Sequence, residues 1–256
     1  MAGNELAVIK VLVMNKNKSA LKHLGIIQSV DAPGKDKGQN KNINSIGAID
    51  GVSTENAIKK ADIYVNNMGV SIKQSGGSFS FNRLQRSNII EVFKYINIIN
   101  EQNVLSKIDD AVHDFHKGNI KKRNRPWKDI LPEKDFKDLL EFLMMKGSPN
   151  HGISHHPAEF ILEAPPKIKD LNSLQVYTFE EYFTKYKEKF KIAIRRQWIG
   201  QDSKSEHTRA LGLSKKEGNR QWVFNEVVGV PRSGWMNDFM KCKRKTVYFL
   251  MIEKEK

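Results

Sequence analysis

A carboxylate, Asp62, and an amine, Lys73, stand on the two arms of the segment Lys60-Ala-Asp-Ile-Tyr-Val-Asn-Asn-Met-Gly-Val-Ser-Ile-Lys73. Together they are the residue types that hold a metal ion against a phosphate. Ile63 and Val65 alternate with Asp62, Tyr64 and Asn66, and Val70 and Ile72 alternate with Ser71 and Lys73, so each arm has an apolar and a polar face. Asn66-Asn67-Met68-Gly69 between them contains the residues that tolerate positive φ in a tight turn. A hairpin centred between Asn67 and Met68 predicts Asp62 opposite Lys73 and Tyr64 opposite Ser71, all on one face. A slip of one residue would turn one arm's polar set into the core, so the register is constrained.

Phosphodiester hydrolysis needs a divalent cation to polarise the phosphate and activate water, and positive charge to stabilise the pentacovalent centre. Mg²⁺ prefers hard oxygen donors and keeps several waters, so few protein ligands suffice. Asp62 can supply one and the carbonyl of Ile72 another, while Lys73 reaches the attacking water or the phosphate. The same two side chains also fit a plain cross-strand ion pair on a solvated face. The following Gln74-Ser75-Gly76-Gly77-Ser78 favours the first reading, because small residues beside a polar strand end let a phosphate backbone come close, with Gln74 and Ser75 as contacts. An ordinary flexible loop is the alternative there.

Positioning these groups requires a scaffold. Residues 3–14 read as a first helix, with a strand left open by the β-branched run, 31–45 as a polar loop, and Arg83 to Ile99 as a helix whose opening Arg83 and Arg86 either contact DNA phosphates or simply solvate it. Val104, Leu105, Ile108, Val112 and Phe115 predict another helix capped by Gly118. The basic run Lys117–Lys128 places a boundary between residues 1–118 and 119–256; a surface loop within one domain is the alternative. A short helix around Phe136–Leu143 follows. Phe160-Ile-Leu-Glu predicts a strand, and Thr178-Phe-Glu-Glu181 a capping box that opens a helix carrying Tyr182, Phe183, Tyr186 and Phe190. Strands are expected at 222–228 and 246–252. The resulting fold class is α/β, a mixed central sheet flanked by helices.

The chain has 256 residues, with 43 Lys and Arg against 29 Asp and Glu, a net charge of +14 that favours a polyanionic partner. Nucleic acid comes first and an anionic membrane surface second. No apolar run approaches the roughly 20 residues of a membrane span, and the start lacks a signal-peptide pattern, so a cytoplasmic protein with no membrane is expected. The single cysteine, Cys242, excludes an internal disulfide framework.

Asp62, the hairpin and Ser71-Ile72-Lys73 resemble the PD-(D/E)xK nucleases, and Lys-Ala-Asp-Ile…Ser-Ile-Lys is similar in flavour to the type II restriction endonucleases among them. The resemblance covers roughly residues 1–100. It implies a restriction-endonuclease-like core, Mg²⁺ as cofactor, double-stranded DNA as substrate, Asp62 as a metal ligand and Lys73 as the residue that assists water. The chain departs from the pattern where Ala61 replaces a proline and where Ser71 replaces the second acid. Glu5, Glu55 and Glu91, ranked in that order, are the candidates for the missing carboxylate. The implied setting is restriction of foreign DNA with a matching methyltransferase that makes no direct contact, and a homodimer is one of the assemblies it allows. A non-catalytic nucleic-acid-binding protein and a structure-specific repair or recombination nuclease are the rival functions.

Residues that would touch DNA lie mostly in the later half. Arg pairs bidentately with guanine and Gln with adenine, so Arg195, Arg196 and Gln197 beside Trp198, and Arg220 and Gln221 beside Trp222, are candidates for sequence readout. A basic surface anchored by buried Trp is the alternative. Arg232 sits in a turn, and Lys241 and Lys243 have the character of phosphate binders, or of a solvated strand edge. His151 and His155 are spaced for one helix face, but Gly152 and Pro157 argue against a helix, so a loop that meets bases or phosphates, or a plain polar loop, outranks a metal site.

Overall fold

A computed structural model describes residues 4–34, 40–51, 59–77 and 79–256. In chain order the helices are α1 (Glu5–Met14), α2 (Arg86–Tyr95), α3 (Glu101–Lys117), α4 (Glu133–Glu141), α5 (Phe179–Tyr186) and α6 (Lys204–Ser214). The strands are β1 (Ala20–Leu21), β2 (Gly25–Ile26), β3 (Val30–Pro33), β4 (Asn40–Asn42), β5 (Ile63–Val65), β6 (Met68–Gln74), β7 (Phe79–Leu84), β8 (Asn124–Pro126), β9 (Gly147–Ser148), β10 (Gly152–Ile153), β11 (Phe160–Ala164), β12 (Gln175–Tyr177), β13 (Phe190–Trp198), β14 (Val223–Phe224) and β15 (Thr246–Lys254).

Two compact units share the chain. One gathers Met1–Phe79, Leu140–Lys189 and Glu255–Lys256, the other Ser80–Leu139 and Phe190–Lys254, so each has residues on both sides of position 118. The first unit is built on a six-stranded mixed sheet in the order β12-β11-β6-β5-β3-β4, where β11 and β6 are parallel and the other neighbours antiparallel. Val8, Ile9 and Leu12 of α1 pack with Ile63, Val65, Val70, Ile72, Leu162, Ala164 and Val176. By strand alternation the polar residues Tyr64, Ser71, Lys73, Glu163 and Gln175 lie on the other face. On that face α5 meets the sheet, where the Tyr186 hydroxyl donates to Glu163 at 2.7 Å.

The second unit holds β13 between β15 and β8, with β14 and β7 both paired to β15. Its nine-residue β13–β15 ladder runs from Phe190↔Lys254 to Trp198↔Thr246. Val247 and Phe249 pack with Ala210 and Leu213 of α6. Tyr248 meets Phe115 and His116 of α3 edge to face, so each sheet face is covered by a helix.

Several expectations are corrected by this architecture. Residues 31–45 include two strands, because Val30 and Ala32 are buried while Val30 and Asp31 pair with β5 and Asp31 to Pro33 pair with β4. Arg83 belongs to β7, and the helix starts only at Arg86, after the Gln85 N–H donates to the Asn88 side chain. Phe190 begins β13 rather than ending α5. At 222–228 only Val223–Phe224 is a strand, preceded by a 3-10 turn over Glu217–Trp222. The basic Lys117–Lys128 stretch contributes β8, an edge strand paired to β13.

Candidate functional site

The hairpin forms, with a register two residues away from the expected one. Val65 pairs with Met68 and Ile63 with Val70, leaving Asn66 and Asn67 as a two-residue turn with φ of 52° and 66°. Two consecutive left-handed residues make the turn type whose twist suits a hairpin. The side chain of Asn66 holds it there, accepting from Gln28 and Ser29 N–H at 2.7 and 3.1 Å and donating to Leu24 and Ile26 carbonyls at 2.8 and 2.7 Å. Tyr64 therefore faces Gly69, not Ser71, and Asp62 falls beside Ser71, not Lys73. The shift is even, so the polar side chains keep a common face. Gly69 is needed for close approach rather than for the turn: a Cβ there would sit 2.3 Å from the Pro157 carbonyl oxygen.

Asp62 is fixed by the strand beside it. Its N–H donates to the Val70 carbonyl at 2.9 Å, and its Oδ2 accepts from the Ile72 N–H at 2.6 Å and from the Ser71 hydroxyl at 3.3 Å. Lys73 Nζ donates to the Ser71 oxygen at 2.8 Å. Ser71, 1% exposed, thus stands between the acid and the amine and links them without a direct ion pair.

Two further groups on this face escaped the sequence reading. Lys60 donates from Nζ to the Leu143 carbonyl at 2.8 Å, and its main-chain N–H and that of Ala61 donate to the His156 carbonyl at 3.0 and 2.9 Å. Burial pushes the Lys60 ammonium down to about 8, the Lys73 ammonium adds to the fall and the Asp62 carboxylate opposes it. The register signal was available: carrying the hairpin three residues past Ile63 sets Lys60 opposite Lys73. Glu163 is paired in register with Lys73 across the parallel β6–β11 ladder. It is 3% exposed; Oε2 takes the Tyr186 hydroxyl and lies 3.6 Å from Lys185, while Oε1 has no hydrogen-bond partner among the described residues. No local pattern in the sequence announces that neighbour.

Of the acids expected to join Asp62, Glu5 opens α1, whose buried side packs on the opposite sheet face. Glu55 lies outside the described residues. Glu91 belongs to the second unit, where it pairs with Lys94 at 3.0 Å. Among the described residues no group of three His, Cys, Asp or Glu converges on one point. The donors that suit Mg²⁺ are the second Asp62 oxygen and the Ile72 carbonyl, a small hard-oxygen set that fits an ion retaining most of its waters.

No protein-family model and no curated protein matches this chain. A crystal structure of restriction endonuclease MspI with its cognate DNA is similar over 76% of this chain, at 11% identity and a TM-score of 0.30. The chain spans 63% of that protein's length. A likeness of that size says nothing about activity.

The expected DNA contacts divide into outward and inward groups. Gln74 is exposed and Ser75 half-buried, its N–H donating to the Ala164 carbonyl at 2.8 Å, and His151 and His155 are exposed around the β9–β10 turn rather than on a helix. In the second unit Arg220, Gln221, Arg232, Lys241 and Lys243 are exposed. Arg195 instead pairs with Glu253, and Gln197, 3% exposed, donates to Glu206. Arg196 lies over the Phe115 and Trp198 rings, and Arg83 over Phe249. Arg86 makes a two-pronged pair with Asp109 at 2.8 and 2.7 Å. Each of these five side chains meets a ring or a carboxylate within the second unit. No helix among the described residues is long and apolar enough to cross a membrane.

Proposed function

We propose that this protein is a Mg²⁺-dependent endonuclease that cuts double-stranded DNA at a short sequence, the work of a type II restriction enzyme. The observation that carries the reading is Asp62 held by the Ile72 N–H and Ser71, with the Lys73 ammonium on the same serine. The bond from the Ile72 N–H fixes the carboxylate's direction before any ligand arrives. Asp62 and the Ile72 carbonyl would hold Mg²⁺, which when bound polarises the phosphate and acidifies water. Lys73 orients that water or stabilises the charge that develops on phosphate. Glu163, on the neighbouring strand at the register of Lys73, and Asp31, in register with Tyr64, are acids this face offers beyond Asp62. Cleavage is assigned to the first unit and reading of sequence to the second, with Arg220, Gln221, Arg232, Lys241 and Lys243 toward DNA. The setting is a cytoplasmic restriction system with a companion methyltransferase, and a homodimer accounts for cutting both strands.

The test is incubation with unmethylated phage and plasmid DNA in Mg²⁺, comparing the wild type with Asp62→Ala and Lys73→Ala. Discrete fragments should form, and each variant should lose at least about a hundredfold in rate. The absence of a three-acid cluster among the described residues favours a second reading, a nucleic-acid-binding protein that does not cut. Tight binding without cleavage on several DNAs would establish it, and cuts confined to junctions or flaps would point to a repair nuclease.

A further inference from the structure

We infer that Lys60 is a second phosphate-binding cation at this centre and that the centre takes one divalent ion, not two. The inference rests on the nuclease reading and deepens it. Lys60 is held at three points: its own N–H and that of Ala61 donate to the His156 carbonyl, and Nζ donates to the Leu143 carbonyl. That carbonyl lies in Phe142–Lys146, a π-helical stretch, where wider winding takes carbonyls out of the usual ladder. One of three ammonium hydrogens is spent on Leu143, and among the described residues two remain for an acceptor on the half-exposed side chain. Carried three residues past the Ile63↔Val70 pair, the hairpin register sets Lys60 opposite Lys73 and on the face that carries Asp62.

The charge balance decides the number of ions. Two-ion sites place their cations about 3.5–4 Å apart and need several carboxylates to bridge and neutralise them. Here the hairpin offers one carboxylate, Asp62, and two ammoniums, Lys60 and Lys73. Ser71 is neutral where a second acid would stand. Glu163 is already hydrogen-bonded to Tyr186 and close to Lys185, and Asp31, in register with Tyr64, already accepts from the Asn42 amide at 2.6 Å. One Mg²⁺ on Asp62 leaves this centre strongly positive, which attracts a phosphodiester, while a second ion would meet unbalanced repulsion. Lys60 then contributes the positive charge that the second ion supplies elsewhere.

The experiment uses the full chain with duplex DNA at pH 7. Mn²⁺ binding is counted by electron paramagnetic resonance, and cleavage is followed against Mg²⁺ concentration, for the wild type, Lys60→Met, Lys60→Arg and Asp62→Ala. One Mn²⁺ per chain, abolished by Asp62→Ala, and a non-cooperative Mg²⁺ dependence are expected. Lys60→Met should cut at least thirtyfold more slowly with its Mn²⁺ count and melting temperature kept, and Lys60→Arg should recover most of the rate. Two ions per chain, a Lys60→Met enzyme as fast as the wild type, or a loss that follows the melting temperature and is not restored by arginine overturns the role of Lys60 while leaving the nuclease intact. A wild type that cuts no duplex, with Mn²⁺ binding indifferent to Asp62→Ala, overturns both.

Discussion

Ser71 carries two hydrogen bonds with almost no access to water, donating to Asp62 at 3.3 Å and accepting from Lys73 at 2.8 Å. Removing the hydroxyl leaves Asp62 its main-chain partner, the Ile72 N–H, but takes from the Lys73 amine the oxygen that directs it. Ser71→Ala should therefore cost about 1 kcal/mol in a denaturant melt, the ordinary worth of such bonds. Cleavage should fall about tenfold, less than for loss of Asp62 or Lys73, because an amine that has lost its direction still carries its charge. A rate equal to the wild type's would remove Ser71 from the centre. The types of the central residues were legible in the sequence, because an acid and a lysine on alternating strands need only local pattern. Their partners were not: Glu163 reaches Lys73 through a parallel pairing between strands distant in the chain, and Lys60 needed the true register.

That register is an element-scale property set by the turn. Asn66 and Asn67 both take left-handed φ, and glycine relieves the strain of such a position where the side chain anchors nothing. Asn67→Gly should stabilise the protein by about 0.5 kcal/mol, whereas Asn66→Ala removes four hydrogen bonds to the segment Leu24–Ser29 and should cost about 2–4 kcal/mol. Equal effects of the two in thermal melts would contradict this division. A second tie within the first unit joins Lys22 and His23 to Glu181 at 2.6 and 2.7 Å, with Glu181 also accepting from the Thr178 N–H in the capping box of α5. The hydrogen bonds from Lys22 and from the Thr178 backbone hold the Glu181 carboxyl down at about 2, below its ordinary 4.5. A depressed carboxyl stabilises the fold above its unfolded value and loses that effect as pH falls through the folded one. The melting temperature of the wild type should exceed that of Glu181→Gln at pH 6, and the gap should close between pH 4.5 and 2. Elements with local punctuation were readable in advance: α5 from Thr178-Phe-Glu-Glu181 and α3 from its apolar stripe ending at Gly118, which is left-handed at φ 82°. Strands whose partners are remote were not. β3 and β4 are hidden in a polar stretch, and Phe190 satisfies a helical spacing while its N-terminal place in β13 is decided by β15.

Across the whole molecule the net charge is +14, and its cations include both paired and exposed side chains. Arg86 and Asp109 form a partly buried pair, and the Trp222 indole N–H donates to the same carboxylate at 2.7 Å. Removing Arg86 strands a carboxylate with little solvent, so Arg86→Ala should destabilise the protein by about 3–5 kcal/mol, with any effect on DNA following from unfolding. Lys241 and Lys243 are exposed around a short 3-10 turn, and an exposed lysine that meets phosphate acts by displacing a counterion. The double variant Lys241→Ala, Lys243→Ala should keep the wild-type melting temperature while its affinity for duplex DNA falls at low salt. The slope of log affinity against log salt should shrink by about two, one for each phosphate no longer neutralised. Fluorescence anisotropy on one duplex from about 50 to 200 mM salt, the range where counterion release dominates, measures both quantities. An unchanged slope would place the phosphate backbone elsewhere on the basic surface, and the exposed Arg220 and Arg232 would then be the side chains to remove.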